Sequence, residues 1–499
     1  MKIGELQQLM VKHPQVVALS ELIEQGRVKH IYCGGLKASA ASVYASALAN
    51  KTHCPFVFIL GDLEEAGYFY HDLTQIMGEE QVLFFPSSFR RAIKYGQKDA
   101  PNEILRTEVL SRLEKQDDKL FVVTYPDALA EKVIAPKELD EKTLKIQVGE
   151  VLDMKFVTDL LREYGFQYTD YVYEPGQYAQ RGSIIDVFSF SSEYPYRIDF
   201  FGDEVESIRT FEVESQLSKE KKESIVIVPD LSAGLTRQGD GGLVSFLDFL
   251  QPETMVVMRD LFWLRERIQQ VHDETLTNQA RMTREAEDQG TLILEGKLID
   301  GEEFSRKILN FRRMEIGVKP TGTPDASLLF DTDVQPIFHK NFDLLSERLK
   351  GYLLDGYRLF ICSDSQKQTE RIKTIFEDRG DDIEFTAVEK TIHEGFVDYE
   401  QRMCVFTDHQ IFDRFHKYNL KSDKARSGKI TQSLKELNEF QLGDYVVHTD
   451  HGVGRFAGLV RIPNGNTTQE VMKLVYQNED VVFVSIHSLH KVSKYKGKN

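Results

Sequence analysis

The chain has 499 residues, of which 41% are hydrophobic and 28% are charged, a composition typical of a soluble globular protein with about three or four domains. No run approaches the roughly 18 apolar residues that a membrane span needs, and the N-terminus lacks the apolar core of a signal peptide. The four cysteines show no paired spacing, which argues against a disulfide framework or a zinc site. The expected compartment is therefore the reducing cytoplasm.

Charge is unevenly distributed along the chain. The formal net charge of -17 disfavours long-range attraction of the whole chain to DNA, because the phosphate backbone is also negative. Residues 421–499, however, contain 12 Lys and Arg against 8 Asp and Glu. Such an asymmetry indicates modules with different partners, although a basic linker and a lysine-rich end would give the same count.

The first 145 residues alternate short apolar runs with helical patterns. Apolar runs at 28–35, 54–60 and 119–125 do not alternate with polar residues, which is typical of strands buried on both faces. This βαβα order predicts a parallel sheet covered by helices, as in an α/β domain.

A β-rich insert is predicted over 146–240, because short alternating runs follow one another there with Pro and Gly turns between them. Helical patterns return over 241–325, where LVSFLDFL and a long amphipathic stretch both read as helices. Trp263 lies in that stretch and is expected to pack in the core. We interpret 241–325 as the return of the chain to the first domain.

The last third of the sequence divides into three parts. A further small α/β domain is predicted over 326–418, and the polar, basic stretch 419–439 reads as a linker. Period-two alternation over 440–499, with turn signals at 463–466 and 478–480, predicts a small, strongly bent β-barrel.

Catalytic motifs are sparse. The turn CGGLKAS at 33–39 is where a phosphate-binding loop would lie, but the sequence contains no G-x-x-x-x-G-K-[ST] run. Without it, no lysine reaches the β- and γ-phosphates and no hydroxyl holds magnesium, so ATP hydrolysis is not expected. His448 and His451 flank a turn and lack further ligands for a metal site. No catalytic, cofactor or metal residue is therefore predicted.

Two blocks carry a resemblance to known families. EPGQYAQRGSIIDVF (174–188) with PYRIDFFGDEVESIRTF (195–211) resembles the β-rich insert of the excision-repair protein UvrB. GDYVVHTDHGVGRFAG (443–458) with VSIHSL (484–489) resembles the RNA-polymerase-interacting module of CarD-type regulators, which UvrB lacks. Both blocks in this order resemble the N-terminal portion of the transcription-repair coupling factor (Mfd) family.

This resemblance implies a multidomain α/β architecture. It consists of a degenerate RecA-like, UvrB-like parallel-sheet domain with a β-rich insert, a small α/β domain and a small C-terminal β-barrel. In the family an ATP- and magnesium-dependent DNA translocase follows the polymerase module, so the chain is expected to be a truncated form without that motor. The implied partners are UvrA and the RNA polymerase β subunit, with DNA bound weakly or only through the motor.

The resemblance also implies partner-binding residues in the insert. Arg181 matches the arginine of the UvrA-binding face, and Tyr178, Arg197 and Glu174 flank it. Gln167 stands where some relatives carry an arginine, which puts part of the contact in doubt. A pair between Arg197 and Asp199 across the sheet surface is the alternative, worth about 0–1 kcal/mol.

In the polymerase module, the strand EVMKL (470–474) matches the one that pairs with the polymerase. Val471, Met472, Lys473 and Leu474 are accordingly expected to form an exposed edge strand that extends a sheet across the interface. The alternative is a core strand with Met472 buried, because alternation alone does not give the inward parity.

Three functions are compatible with these features. The first is an adaptor that binds stalled RNA polymerase and recruits UvrA to start nucleotide excision repair. The second is a UvrB-type DNA helicase and damage-binding protein, and the third is a CarD-like polymerase regulator.

Arg90, Arg91 and Lys94 form a small basic patch that would touch DNA only weakly, or would be a solvated loop.

Overall fold

Two compact units make up the chain. Unit one comprises Met1–Asp140 with Leu231–Leu420, and unit two comprises Glu141–Asp230 with Lys421–Asn499. The structure is a computed structural model that describes residues 1–88, 100–115, 119–231, 242–285, 296–418, 420, 440–448, 451–464, 467–477, 480–485 and 492–495. The predicted basic patch at Arg90, Arg91 and Lys94, most of the linker and the centre of the 463–466 turn lie outside these residues.

Helices and strands alternate in the first part of unit one. In chain order they are α1 Ile3–Met10, α2 Pro14–Gln25, β1 His30–Gly34, α3 Ala40–Leu48, β2 Phe56–Ile59, α4 Leu63–Met77, β3 Val82–Phe84, α5 Ala100–Glu114, β4 Phe121–Thr124, α6 Pro126–Leu129, β5 Val133–Ile134 and α7 Pro136–Glu141.

Strands dominate the next stretch, which belongs to unit two. Its elements are β6 Leu144–Gln147, α8 Met154–Glu163, β7 Gln167–Tyr168, β8 Gln177–Arg181, β9 Ile184–Val187, β10 Tyr196–Phe201, β11 Glu204–Phe211, β12 Ser218–Lys222 and β13 Ser224–Ile227.

The chain then returns to unit one. The elements of this return are β14 Leu243–Val244, a 3-10 helix Phe246–Phe249, β15 Met255–Met258, α9 Leu261–Glu285, α10 Gly301–Ile308, β16 Arg312–Glu315, β17 Ala326–Leu329, β18 Thr332–Val334, α11 Phe342–Leu354, β19 Arg358–Ser363, α12 Gln366–Asp378, β20 Thr386–Glu389, β21 Phe396–Asp398, β22 Met403–Thr407 and α13 Asp408–Ile411.

Five strands form the C-terminal part of unit two. They are β23 Tyr445–His448, β24 Gly452–Asn464, β25 Thr467–Val475, β26 Val481–Ser485 and β27 Val492–Lys494.

A seven-stranded parallel sheet organises unit one, in the order β17-β1-β16-β15-β2-β4-β3. Every residue of β1, β2, β3, β4 and β15 is buried, as expected for strands covered on both faces. The predicted parallel sheet is therefore confirmed. The helix expected over LVSFLDFL is wrong, because that stretch forms the short strand β14 and one 3-10 turn capped by Ser245.

Trp263 does not pack in the core as the sequence suggested. Its side chain is 47% exposed, and its neighbour Phe262 is 65% exposed. The buried stripe of α9 passes instead through Leu264 and Ile268, which are four residues apart and therefore lie on one helix face. Trp263 is about 100° away from Leu264 around the helix.

A second, mixed sheet completes unit one, in the order β18-β21-β22-β19-β20. A buried polar group joins it to the first helices: Asp398 of β21 accepts a hydrogen bond from His13 Nε2 at 3.0 Å and another from the Tyr44 hydroxyl. Burial alone would raise the pKa of Asp398, but these two hydrogen bonds lower it. His13 Nδ1 accepts the backbone N–H of Gln15, which fixes the proton on Nε2.

The insert of unit two is built on a six-stranded sheet in the order β12-β11-β10-β9-β8-β7. All its neighbouring strands are antiparallel except β7 and β8, which are parallel. One sheet face packs with α8 and with the small sheet of β6 and β13 in an apolar core that includes Val157, Leu161, Ile185, Ile198 and Val205.

The C-terminal strands form an antiparallel sheet in the order β26-β25-β24-β23-β27. Its core consists of one residue or two from each strand: Val446, Phe456, Met472, Leu474, Val484 and Val492. No described helix of the chain is long and apolar enough to cross a membrane.

Candidate partner-binding surfaces

The face of the insert sheet opposite its apolar core carries charged side chains. Asp186 is directly opposite Arg197 in the β9–β10 register and directly opposite Ala179 in the β8–β9 register. Arg181 comes two residues after Ala179, so Arg181, Asp186 and Arg197 all lie on this face. Successive side chains of a strand point to opposite faces. The sequence block that resembled UvrB therefore brings two arginines to one carboxylate.

Asp186 is the centre of this arrangement and is only 1% exposed. Arg197 donates to it from Nε at 2.8 Å and from Nη2 at 2.9 Å, a two-pronged contact, and Arg181 donates to the same carboxylate from Nη2. Arg197 also donates from Nη1 to the carbonyl oxygen of Gln216 at 3.0 Å and lies over the ring of Phe211. Most donors of Arg197 are thus used inside the domain.

The two arginines differ in their access to solvent. The Arg197 side chain is 14% exposed, whereas that of Arg181 is 37% exposed and lies over the half-buried ring of Tyr171. Arg197 therefore holds Asp186 in place, and Arg181 presents a guanidinium at the surface. Arg197 is paired with the buried Asp186, whereas Asp199, the alternative partner expected from the sequence, is paired with Arg209.

Arg209 was not singled out from the sequence, yet it lies on the same face. It is paired with Arg197 in the β10–β11 register and with Lys221 in the β11–β12 register, and its Nη2 is 3.6 Å from Asp199 Oδ2. Its buried Nε has no hydrogen-bond partner among the described residues. Alternation along 207–211 was the signal that could have identified it. We call Arg181, Arg197, Arg209 and Lys221 the cationic stripe.

Tyr178 and Glu174 have other positions. Tyr178 is 2% exposed and belongs to the apolar core beneath the sheet. The prediction that its side chain contacts the partner directly is therefore wrong, and we assign Tyr178 to packing. Glu174 is partly exposed in the turn before β8, where its N–H donates to Gln177 Oε1 at 3.0 Å. Gln167 is exposed on β7 at one end of the sheet.

The turn after β1 in unit one is occupied by the chain itself. Gly35 has a φ of +80°, and a Cβ at this position would lie 1.8 Å from the carbonyl oxygen of Phe330. The N–H of Lys37 donates to Thr332 Oγ1 at 3.0 Å, and Lys37 Nζ is 3.3 Å from Asp333 Oδ1. These are the donors that a phosphate loop would direct at its ligand.

The N-terminus of α3 is capped from a second direction. The N–H of Ser39 donates to the carbonyl oxygen of Glu394 at 3.2 Å, and the N–H of Glu394 donates to Ser39 Oγ at 3.0 Å. Ser42 Oγ donates to Asp72, whose pKa is raised to about 6 by burial despite hydrogen bonds that lower it. A buried carboxyl group next to this turn is also unfavourable for an anion.

In the C-terminal module, β25 lies in the middle of the sheet. It pairs with β24 on one side and with β26 on the other, and Val471, Met472 and Leu474 are at most 2% exposed. Only Lys473 is partly exposed. The prediction that 470–474 is an exposed edge strand is therefore wrong. The turn signals at both ends of β25 explain why, because each turn pairs the strand with a neighbour.

The described ends of this sheet are β26 and β27. In β26 the side chains alternate: Val482 and Val484 contribute to the core, while Val481 and Phe483 are 42% and 49% exposed. A strand at the end of a sheet offers unpaired backbone groups to another chain. In the described part of the module, β26 is the longer of the two.

Comparison with known proteins matches both surfaces to described domains. Residues 144–232 match the UvrB interaction domain, and residues 440–496 match the CarD-like/TRCF RID domain. Similar proteins include the transcription-repair-coupling factors of Bacillus subtilis, 23% identical over 94% of this chain, and of Escherichia coli, 25% identical over 93% of it. The chain spans about 45% of the length of each of these relatives.

The resemblance to the transcription-repair-coupling factors is confirmed. The two domains matched in this chain coincide with the insert that carries the cationic stripe and with the described five-stranded C-terminal sheet. Unit one carries a further feature, a cluster of four histidines, of which three lie in the stretch between the two matched domains and one lies in α4.

The histidine cluster packs the C-terminal end of unit one against α4. His416 stacks on His409 with ring centroids 4.4 Å apart, and its Nδ1 is 3.3 Å from Nδ1 of His393. Tyr68 of α4 stacks on His393 and donates from its hydroxyl to the carbonyl oxygen of His416 at 2.7 Å, and the His71 ring meets His416 edge-on. The described residues contain no group of three or more side chains placed to hold a metal ion.

Burial keeps these rings neutral. Burial lowers the pKa of His393 to about 4 and that of His416 to about 3, with a further lowering from the neighbouring histidines. Burial also lowers the pKa of His71 and of His409. The cluster is thus a set of stacked neutral imidazoles near neutral pH.

We predict that unit one loses stability as the pH falls from about 7 towards 4. In that range the unfolded chain binds protons at histidines of ordinary pKa, about 6.5, while the folded cluster does not, so protons favour unfolding. Asp72 has the opposite effect on stability, because its raised pKa means that the folded state binds a proton at a higher pH than the unfolded state does. It is a single group, whereas the cluster contains four histidines. Urea unfolding at several pH values measures the effect.

The matched variants are His416→Gln and His53→Gln, the latter at an exposed histidine whose side chain is 71% accessible. The His416 variant should flatten the dependence of the unfolding free energy on pH, and the His53 variant should leave it as in the wild type. Identical pH dependence in all three proteins would contradict the role of the cluster.

Proposed function

We propose that this chain is an adaptor that binds RNA polymerase through its C-terminal module and recruits UvrA through the insert, as a first step of nucleotide excision repair. The presence of both matched domains on one chain carries the proposal. A CarD-like regulator would need the C-terminal module alone, which leaves the cationic stripe without a use.

The cationic stripe supports UvrA binding through carboxylates of the partner. Arg181 has a guanidinium at the surface that is already oriented by Asp186, so little side-chain entropy is lost when a partner carboxylate binds it. Arg209, whose side chain is 32% exposed, adds a second accessible cation on the same face for a carboxylate of the partner.

We predict that Arg181→Ala weakens capture of UvrA by the full chain at least about thirtyfold, since loss of a charge pair at an interface costs about 2–5 kcal/mol. Arg209→Ala should weaken capture as well. Arg162→Ala is the matched control, because this arginine of α8 is 69% exposed and pairs only with the neighbouring Asp159 among the described residues. Pull-down without ATP measures retention.

The outcome is interpretable only for folded variants, so far-UV circular dichroism accompanies each pull-down. Arg197→Ala should destabilise the insert by about 3 kcal/mol, because it leaves the buried Asp186 with a single arginine partner. Equal retention of UvrA by the wild type and by a folded Arg181→Ala chain would contradict the assignment of Arg181.

For RNA polymerase we propose strand addition at β26, with the β subunit as partner. An added strand gains main-chain hydrogen bonds from the edge and side-chain contacts from alternate residues. Val481 and Phe483 are the alternate residues that β26 exposes. Met472 and Leu474 then act indirectly, as part of the core on which β26 rests, whereas the buried Val471 and Lys473 lie on the other face of β25, where Lys473 is paired with Phe483.

We predict that a photocrosslinking amino acid at Val481 forms a crosslink to the polymerase β subunit. The same residue placed at Val151, which is 77% exposed in the insert, should form none. The crosslinked subunit is identified by mass spectrometry of the band. Crosslinks of equal yield from both positions, or from neither, would contradict docking through β26.

We infer that this chain does not hydrolyse ATP and so is not an enzyme by itself. The donors of the degenerate RecA-like turn are engaged by Thr332, Asp333 and Glu394, and the backbone of Phe330 fills the space above Gly35. ATP and magnesium are expected only in the motor of the family. These contacts also disfavour the UvrB-type helicase, which would need that turn free.

A further inference from the structure

The outer face of the C-terminal sheet, opposite its core, carries a row of side chains that crosses all five strands. Strand pairing places Val481 beside Val475, Val475 beside Arg455, and Arg455 beside Tyr445. The N–H of Tyr495 donates to the carbonyl oxygen of Tyr445 at 2.9 Å, which adds Tyr495 at the far end. With neighbouring strands about 4.8 Å apart, the row spans about 19 Å.

This row is open to solvent and rich in aromatic rings. Tyr445 is 61% exposed and Tyr495 is 50% exposed, and Arg455 between β23 and β25 is exposed too. A second pair, Phe483 and Lys473, lies on the same face, because these residues are directly opposite each other in β26 and β25. Three exposed aromatic rings and two cationic side chains, the exposed Arg455 and the partly exposed Lys473, therefore share one face of the sheet.

The charge of the outer face has one sign. The nearest described acidic residues, Asp444 and Asp480, lie just before β23 and β26 and not within these strands. Among the side chains that the structure describes on the outer face, none is an Asp or Glu. Residues 440–499 contain seven Lys and Arg against five Asp and Glu, in a chain whose net charge is -17.

We propose that this outer face binds single-stranded nucleic acid. Bases stack on exposed aromatic rings, which is tolerant of sequence because every base has a π-face, and cations beside the rings contact the phosphates. Tyr445, Tyr495 and Phe483 supply the rings, and Arg455 and Lys473 supply the charges. A duplex keeps its base faces stacked within itself, so it cannot use the rings in this way.

The proposal can be tested apart from the polymerase contact, although the outer face shares Val481 and Phe483 with it. Tyr445 and Tyr495 lie on β23 and just after β27, at the opposite side of the sheet from β26. Variants at these two tyrosines therefore test the outer face without altering the strand proposed for polymerase. An acidic, apolar protein segment is the other occupant with compatible chemistry, and the test separates the two.

The experiment is fluorescence anisotropy with the full 499-residue chain and labelled oligothymidylate and oligouridylate of about 12 nucleotides, within the site sizes known for small β folds. Tyr445→Ala and Tyr495→Ala should each weaken binding about 5- to 150-fold, the range for loss of one stacked base. Tyr445→Phe keeps the ring and should bind as the wild type does. Tyr168→Ala, at a 60% exposed tyrosine of the insert, is the control and should change nothing.

Salt dependence gives a second readout. Arg455→Gln should lower the slope of log affinity against log salt by about 0.7, the value for one phosphate contact on a single strand. The DNA and RNA arms show which sugar the face accepts, and binding of either one supports the proposal.

Three outcomes would overturn it: no binding of either oligonucleotide at low salt, equal binding by the wild type and Tyr445→Ala, or an equal loss in Tyr168→Ala. Loss of polymerase capture by Tyr445→Ala without any oligonucleotide binding would identify the outer face as a protein-docking surface instead. Circular dichroism of each variant excludes unfolding as the cause.

Discussion

Backbone hydrogen bonding at strand ends and strand edges determines what each part of this chain is free to bind. Buried N–H and C=O groups must find partners, and whichever groups remain open are available to other molecules. In unit one the donors of the turn after β1 are engaged by Thr332 and Glu394, so that turn is closed. In the C-terminal module β25 is paired on both sides, so only the end strands of the described sheet remain open.

The same reasoning applies to charge in the insert. A buried carboxylate is tolerated only when cations and hydrogen bonds compensate it, and Asp186 meets this condition with two arginines from different strands. The pairing fixes Arg197 inside the domain and orients Arg181 towards solvent. Arg209 is paired in register with Arg197, which extends the same row of cations to the next strand. A surface of this kind is rigid before a partner arrives.

Much of the fold could be predicted because its signals are local. Unalternated apolar runs identified the buried strands of the parallel sheet, and turn residues delimited β23 to β26. The errors concern non-local facts. Alternation places Tyr178 and Arg181 on opposite faces but does not say which face is buried, and a strand sequence does not reveal whether both its edges are paired. The prediction for Trp263 was wrong for a related reason, since the helical pattern does not say which side of α9 is covered, and the covered side contains Leu264 and not Trp263.

The central claim is that one chain joins two partners at once. Mass photometry of purified RNA polymerase, UvrA and the full chain tests it most directly, with Arg181→Ala as the comparison. We expect a species that contains all three proteins with the wild-type chain, and only the polymerase–chain species with Arg181→Ala. The account would be contradicted if UvrA displaced the chain from polymerase, or if no species with all three proteins formed although each pair did.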